Sequence, residues 1–270
     1  MDTRPIGVFD SGLGGLTVVR QLMAQLPAEN ILYFGDTGRV PYGTRGPEII
    51  QKYAAQDCRF LMDHDVKLII AACGTVSSVA PQVLEQLPLP AFGVVEPASK
   101  AAAAATRNGR IGVIGTAATV RTDAYRRHLL ALRSDAQVFT GACPMFVPLV
   151  ENGWIAEDDD VALPMARRYL QPLADQGIDT LILGCTHFPL LAPIITKILG
   201  DGVTLIDAGR EAAVACVSLL QANDALNLTK KAGDRTFYVT DRPDGFIQVA
   251  DRFLGCRVDG DIHTVDIDLL

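Results

Sequence analysis

Short apolar runs bounded by Gly, Asp or Pro recur along the chain, with helical patterns filling the gaps between them. The first series is PIGVFD (5–10), NILYFG (30–35), VKLIIAAC (66–73) and PAFGVVE (90–96). A second follows as RIGVIG (110–115), AQVFTGA (136–142), IDTLILGC (178–185) and VTLID (203–207). Most lack the alternation of a half-solvated strand, so they read as strands buried on both faces, the mark of a parallel sheet. In GPEIIQKYAAQDCRFLMDHD (46–65), Ile50, Tyr53, Ala54, Asp57, Cys58, Leu61 and Met62 fall mostly on one apolar helical face. Repeated strand–helix–strand units predict an α/β fold with right-handed crossovers.

The two series also resemble each other. GVFDSG from residue 7 answers GVIGTA from 112, and VKLIIAACGT from 66 answers DTLILGCTHF from 179. The shared order predicts two similar lobes, each a mostly parallel sheet flanked by helices, over 1–96 and 97–208. The remaining segment holds a helix near 208–224, a strand RTFYVTD (235–241) and a helix near 243–254. It is too short for a third core and is assigned to the first lobe, which becomes 1–96 plus 209–270. KAAAAA (100–105) reads as a close-packed helix near the crossing. Ligands of open α/β sheets sit beyond the carboxyl ends of the strands. Two such edges would meet around one cleft.

Composition narrows the chemistry. The 270 residues carry 24 Lys and Arg against 31 Asp and Glu, a net charge of -7, and 49% of them are hydrophobic. That is enough apolar material for a sizeable core and excludes global disorder. No apolar run approaches the roughly 18 to 20 residues that span a bilayer, so no membrane partner is expected. The acidic balance argues against nucleic acid. MDTRPIGVFDSG shows no basic region leading into an apolar stretch, so no secretory signal is expected. The cysteines at 58, 73, 143, 185, 216 and 256 form no CxxC pair and no zinc-ligand spacing. They read as reduced thiols in a cytoplasmic protein without a metal. Homo-oligomerisation, as a dimer, is expected, since twofold dimers are the commonest soluble oligomers.

The strand ends hold the candidate chemistry. After the first strand comes Asp10-Ser11-Gly12-Leu13-Gly14-Gly15. As a dinucleotide fingerprint, with Asp36 as ribose acid, it fails at its third glycine, which would fall at Thr17. A tight turn feeding an anion-holding helix N-terminus fits better, and a turn without a ligand is the plain alternative. The loop GDTGRVPYG (35–43) follows the second strand, where Tyr42 and the Gly43 backbone either close over a ligand or plug the sheet edge.

The third strand ends in Ala72-Cys73-Gly74-Thr75, and its counterpart ends in Gly184-Cys185-Thr186-His187. A buried cysteine at a strand end can be a small hydrophobe. Two at matching places in two matching halves are harder to dismiss. Hydroxyl residues and a helix pattern follow each one, so a helix N-terminus is expected to favour thiolate. Cys58, Cys143, Cys216 and Cys256 read as structural, Cys143 and Cys256 for want of a comparable strand-end context. His64, His128 and His263 read as solvated or structural, whereas His187 can exchange a proton with Cys185. Asp10 is the matching polar group of the first lobe. Glu151, in PLVENGW, is either a third functional acid or a surface carboxylate.

Together, DSGLGGLTV, the PYG loop, ACGT and LGCTHFPLL resemble the glutamate racemases of the aspartate/glutamate racemase superfamily, over nearly the whole chain. The resemblance implies a cofactor-independent enzyme with Cys73 and Cys185 as acid/base residues on opposite sides of glutamate. It assigns Asp10 to the side of Cys73, and Glu151 and His187 to the side of Cys185. It implies substrate contacts from Asp10, Ser11, Pro41, Tyr42, Gly43, Gly74, Thr75, Thr186 and His187, with Thr116 and Thr119 near a substrate carboxylate. The family usually has Asn where this chain has Gly74, so an amide donor is missing. D-Glutamate for peptidoglycan is the implied purpose. An aspartate racemase, another superfamily isomerase, a non-catalytic amino-acid-binding module and a redox thiol pair are the competing readings. None of the motifs contributes Arg or Lys, so neutral donors at helix N-termini are expected to grip the carboxylates.

Overall fold

The apolar runs form two separate parallel sheets in the computed structural model, which describes residues 1–258 and 260–270. The chain begins β1 (Ile6–Asp10), α1 (Leu16–Gln25), β2 (Ile31–Gly35), α2 (Pro47–Asp63) and β3 (Leu68–Ala71). It continues α3 (Gly74–Val79), α4 (Pro81–Glu85), β4 (Ala91–Gly93) and α5 (Val95–Ala105). The second series runs β5 (Arg110–Gly115), α6 (Ala117–Arg121), α7 (Ala124–Leu132), β6 (Gln137–Ala142) and α8 (Phe146–Glu151). Then come α9 (Ala162–Ala174), β7 (Thr180–Leu183), α10 (Ala192–Leu199) and β8 (Thr204–Asp207). The chain closes with α11 (Ala208–Ala222), β9 (Arg235–Val239), α12 (Pro243–Leu254) and β10 (Asp261–Thr264).

The first sheet has the order β10-β9-β2-β1-β3-β4 and the second β6-β5-β7-β8. Without β9 and β10, the order is the same in both, so the internal similarity of the sequence is a similarity of topology. β1 and β5 are the equivalent central strands. In register, Phe9 pairs with Phe34 and Ala71, and Ile114 pairs with Gly141 and Leu183. The loops after β1, β3, β5 and β7 therefore leave at the same end of their sheets.

β1, β2, β3 and β7 are buried at every position. The edge strands β4, β6, β8 and β10 are not, because only one neighbour covers each of them. PAFGVVE yields only the three residues of β4, and Val95 and Glu96 open α5 instead, with Pro97 tolerated in its first turn. β10 escapes the sequence pattern because DIHT is mostly exposed and carries no apolar run. The helix after Cys73 ends at Val79, and Pro81 starts a new one. One face of the first sheet packs on α2 through Phe9, Phe34, Ile50 and Leu61. The other face shares a core with the second lobe that includes Val8, Tyr33, Ile114 and Leu181. No helix among the described residues is long and apolar enough to cross a membrane.

Candidate active site

A cavity of about 210 Å³ lies between the two sets of strand ends. That is smaller than the roughly 300–1,000 Å³ of drug-sized sites and suits one small metabolite. Asp10 and Ser11 reach it from β1, and Cys73, Gly74 and Thr75 from β3. The loop after β2 contributes Pro41, Tyr42 and Gly43. The second lobe supplies Thr116 after β5, Glu151 from α8, and Cys185, Thr186 and His187 after β7. Thus both strand-end sulfurs border the same space from opposite lobes. No Lys or Arg is found among the described lining residues.

On the first side, Cys73 caps the N-terminus of α3, and its thiol donates to the Ser11 hydroxyl at 3.4 Å. The expected lowering of this thiol does not occur. Burial, reinforced by the charge of Asp10, pushes Cys73 up to about 12, and bonds from Ser11 and the Val76 amide oppose it only in part. The six-residue α3 offers too little positive potential to win. Asp10 itself is buried, and burial raises its carboxyl against the pull of His187 and the amides of Gly15, Gly12 and Ser11.

The second side is built differently. Cys185 is followed by a 3-10 turn at Phe188–Leu191, and α10 begins only at Ala192. The imidazole of His187 takes the helix's place, with Nδ1 3.9 Å from Cys185 Sγ and Nε2 3.0 Å from Glu151 Oε1. Burial disfavours charge on this ring, but the bonds to Cys185 and Glu151 outweigh it and push His187 up to about 10. Phe253 of α12 packs edge-on against the same ring, centroids 5.0 Å apart. Glu151, half-exposed at the end of α8, thus reaches the histidine that faces Cys185.

Hydroxyls tie the lobes together at the cavity. Thr75 Oγ1 lies 3.1 Å from Thr116 Oγ1, which lies 3.0 Å from Thr119 Oγ1. Thr119 is not among the lining residues and reaches the cavity only through Thr116. Thr17, which spoils the dinucleotide fingerprint, donates to the carbonyls of Gly14 and Thr186. Two close approaches demand glycine. A Cβ on Gly14 would overlap Thr186 Oγ1, and one on Gly74 would overlap the carbonyl oxygen of Gly184. The missing amide at Gly74 is thus matched by missing space.

Tyr42 is fully buried at the sheet edge and lines the cavity. Its hydroxyl bonds Asp36 Oδ2 and, at 3.1 Å, Asp57 Oδ2. Arg39 clamps the same two carboxyls at 2.6 and 3.0 Å. The hydroxyl has one proton for two carboxylate contacts. Burial, with the repulsion of Asp36, raises Asp57 well above the ordinary carboxylate range against the opposing pull of Arg39, which favours a proton there.

The reading of Cys143 needs correction. It follows β6 directly, so it does stand at a strand end, and it borders the cavity with Pro144, Val147 and Pro148. The apolar run AQVFTGA ending just before Cys143 was the available signal. Burial raises this thiol, and it stays close enough to sense Cys185. Tyr125 also sits near Cys185, its hydroxyl buried without a hydrogen-bond partner among the described residues. Among the described residues, no group of His, Cys, Asp and Glu side chains is arranged to hold a metal ion.

Residues 6–216 match the Asp/Glu/Hydantoin racemase family. A glutamate racemase of Geobacter metallireducens is 45% identical over 269 residues, covering 99% of this chain and 98% of that protein. The crystal structure of a glutamate racemase isoform from Bacillus anthracis superposes with a TM-score of 0.93 at 37% identity, covering 99% of both chains. The glutamate racemase of Francisella tularensis, solved with D-glutamate, gives 0.92 at 40% identity over the whole of both chains.

Proposed function

This chain belongs to the Asp/Glu/Hydantoin racemase family, and from that premise we propose that it interconverts L- and D-glutamate without a cofactor, using Cys73 and Cys185 as its two acid/base groups. The observation that carries the proposal is that both sulfurs border one small cavity from topologically equivalent strand ends. Racemisation removes the α-proton from one face of the carbon and returns a proton to the other. Two groups on facing lobes bracket that carbon without any swing of a single base. One sulfur acts as thiolate and the other as thiol, and the roles exchange with the hand of the substrate.

The two sulfurs have different surroundings. The buried Cys73 thiol favours its protonated form and is the ready donor. A charged His187, held by Glu151, is placed to stabilise the negative charge that Cys185 carries when it acts as the base. Asp10 relays protons on the Cys73 side. The substrate carboxylates are held by Ser11, Thr75, Thr116, Thr186 and nearby backbone amides, neutral donors that stabilise the carbanion in a cleft shielded from water. In this reading residues 1–96 with 209–270 form the lobe carrying Cys73, and residues 97–208 form the lobe carrying Cys185. The D-glutamate supplies peptidoglycan synthesis in a bacterial cytoplasm.

The test is incubation with each enantiomer of glutamate in heavy water. Deuterium should appear at Cα together with loss of optical activity. A protein that binds glutamate but leaves its α-hydrogen in place is a binding module. Initial rates on L-aspartate that match or exceed those on L-glutamate would assign the chain to the aspartate branch.

A further inference from the structure

The Cys185 side depends on a residue from the other lobe. α12 follows β9 of the first sheet and packs against α1 and β10, and two consecutive side chains near its end, Arg252 and Phe253, reach the second lobe at the Glu151–His187 pair. Phe253 holds the imidazole edge-on. Arg252 Nη1 donates to the carbonyls of Val150 at 3.1 Å and Glu151 at 2.9 Å. These belong to the last turn of α8, where helix carbonyls lack intrahelical donors and accept from side chains instead. The seat is close: Gly153 has φ +81°, and a Cβ there would lie 2.8 Å from Arg252 Nη2. Among the described residues Arg252 forms no ion pair.

We infer that Arg252 is a positioning residue for proton transfer at Cys185: by clamping the carboxyl end of α8 it holds Glu151 against His187, and through them the imidazole against the sulfur. The inference rests on the two-thiol reading above. It makes the Cys185 side the one sensitive to α12 through contact, and Cys73 and Asp10, which sit on first-lobe strand ends, feel it only through the charge of His187 on Asp10.

The signature is directional. L- and D-glutamate have equal free energy in water, so any variant must lower kcat/KM by the same factor in both directions. The isotope effect does distinguish the sides. With one sulfur weakened, α-deuterium slows only the enantiomer whose α-hydrogen faces that sulfur, because its abstraction becomes the limiting step. A Cys185→Ser variant identifies which enantiomer that is. Arg252→Met should lower kcat/KM about tenfold, a fraction of the 10²–10⁴ attributed to a general acid or base. Its α-deuterium effect should rise for the same enantiomer as in Cys185→Ser and stay at or below the wild-type value for the other. Arg252→Lys, which keeps a cationic donor, should recover most of the rate. If Arg252→Met does not fold, Arg252→Gln is read in the same way. Wild-type isotope effects for both enantiomers, or a rise for the Cys73-facing one, would overturn the assignment even if thermal stability drops. Wild-type protein that exchanges no α-hydrogen would instead sink the racemase reading itself.

Discussion

The carbonyl oxygen of Gly184 occupies the space in which a side chain on Gly74 would begin. These residues flank the two cysteines, so their backbone approach sets how near the two sulfur-bearing loops come. Placing a side-chain amide at this position therefore has a cost. We expect Gly74→Asn to push the loops apart and lower kcat at least tenfold, since misplacement of about 1 Å can cost 10²-fold. Steady-state circular dichroism with L- and D-glutamate measures it, and a rate equal to or above wild type would refute the steric account.

Serine at either cysteine should keep the fold and lose about 10²- to 10⁴-fold in kcat/KM. The discriminating observation is the enantiomer whose α-deuterium effect grows, which must differ between Cys73→Ser and Cys185→Ser. The same enantiomer in both variants would mean that the sulfurs do not face opposite sides of the carbon.

The charge on His187 gives a pH dependence with a definite sign. Its folded value, raised to about 10, lies above the ordinary value of about 6.5. The proton is thus bound more tightly in the folded state. The resulting stabilisation is fully present below about pH 6.5 and is lost as pH rises through about 10. Thermal melts of wild type should fall across that window, and His187→Gln should flatten part of the fall. An unchanged slope in the variant would show that the ring is neutral in the folded protein.

The proton shared beneath Tyr42 separates two outwardly similar substitutions. Asp57→Asn keeps an acceptor for Arg39 and a donor for Tyr42, so it should stay within about 1 kcal/mol of wild type. Asp36→Asn removes the charge that accepts from Tyr42, Arg39 and Thr240 and should cost about 3 kcal/mol. Urea titrations check both, and equal losses would mean that the proton is not localised on Asp57. Because Pro41 and Gly43 border the cavity beside Tyr42, the Asp36 variant should also raise KM.

The central strands were legible because burial on both faces writes an unbroken apolar run, as in Ile69–Ala71 and Leu181–Leu183. β10 was not, because an edge strand needs no such run. Cys73 and Cys185 stood out through the repeated frame around them, whereas Cys143 lacked a repeat partner and was set aside despite its place after β6. The roles of Thr17 and Arg252 depend on contacts across 169 residues and about 100 residues of chain, and no local pattern carries those.

The burial of Cys73 has a consequence beyond any single turnover. A conversion that starts from a Cys185 thiolate ends with the proton on that sulfur and the charge on Cys73, whose burial resists it. Free enzyme must then return to its starting form by exchange with water through a cavity that product has to vacate first. As glutamate becomes abundant, this recycling step overtakes bond breaking at carbon, and isotopic label passed between enantiomers should become unevenly distributed in the direction of net flow.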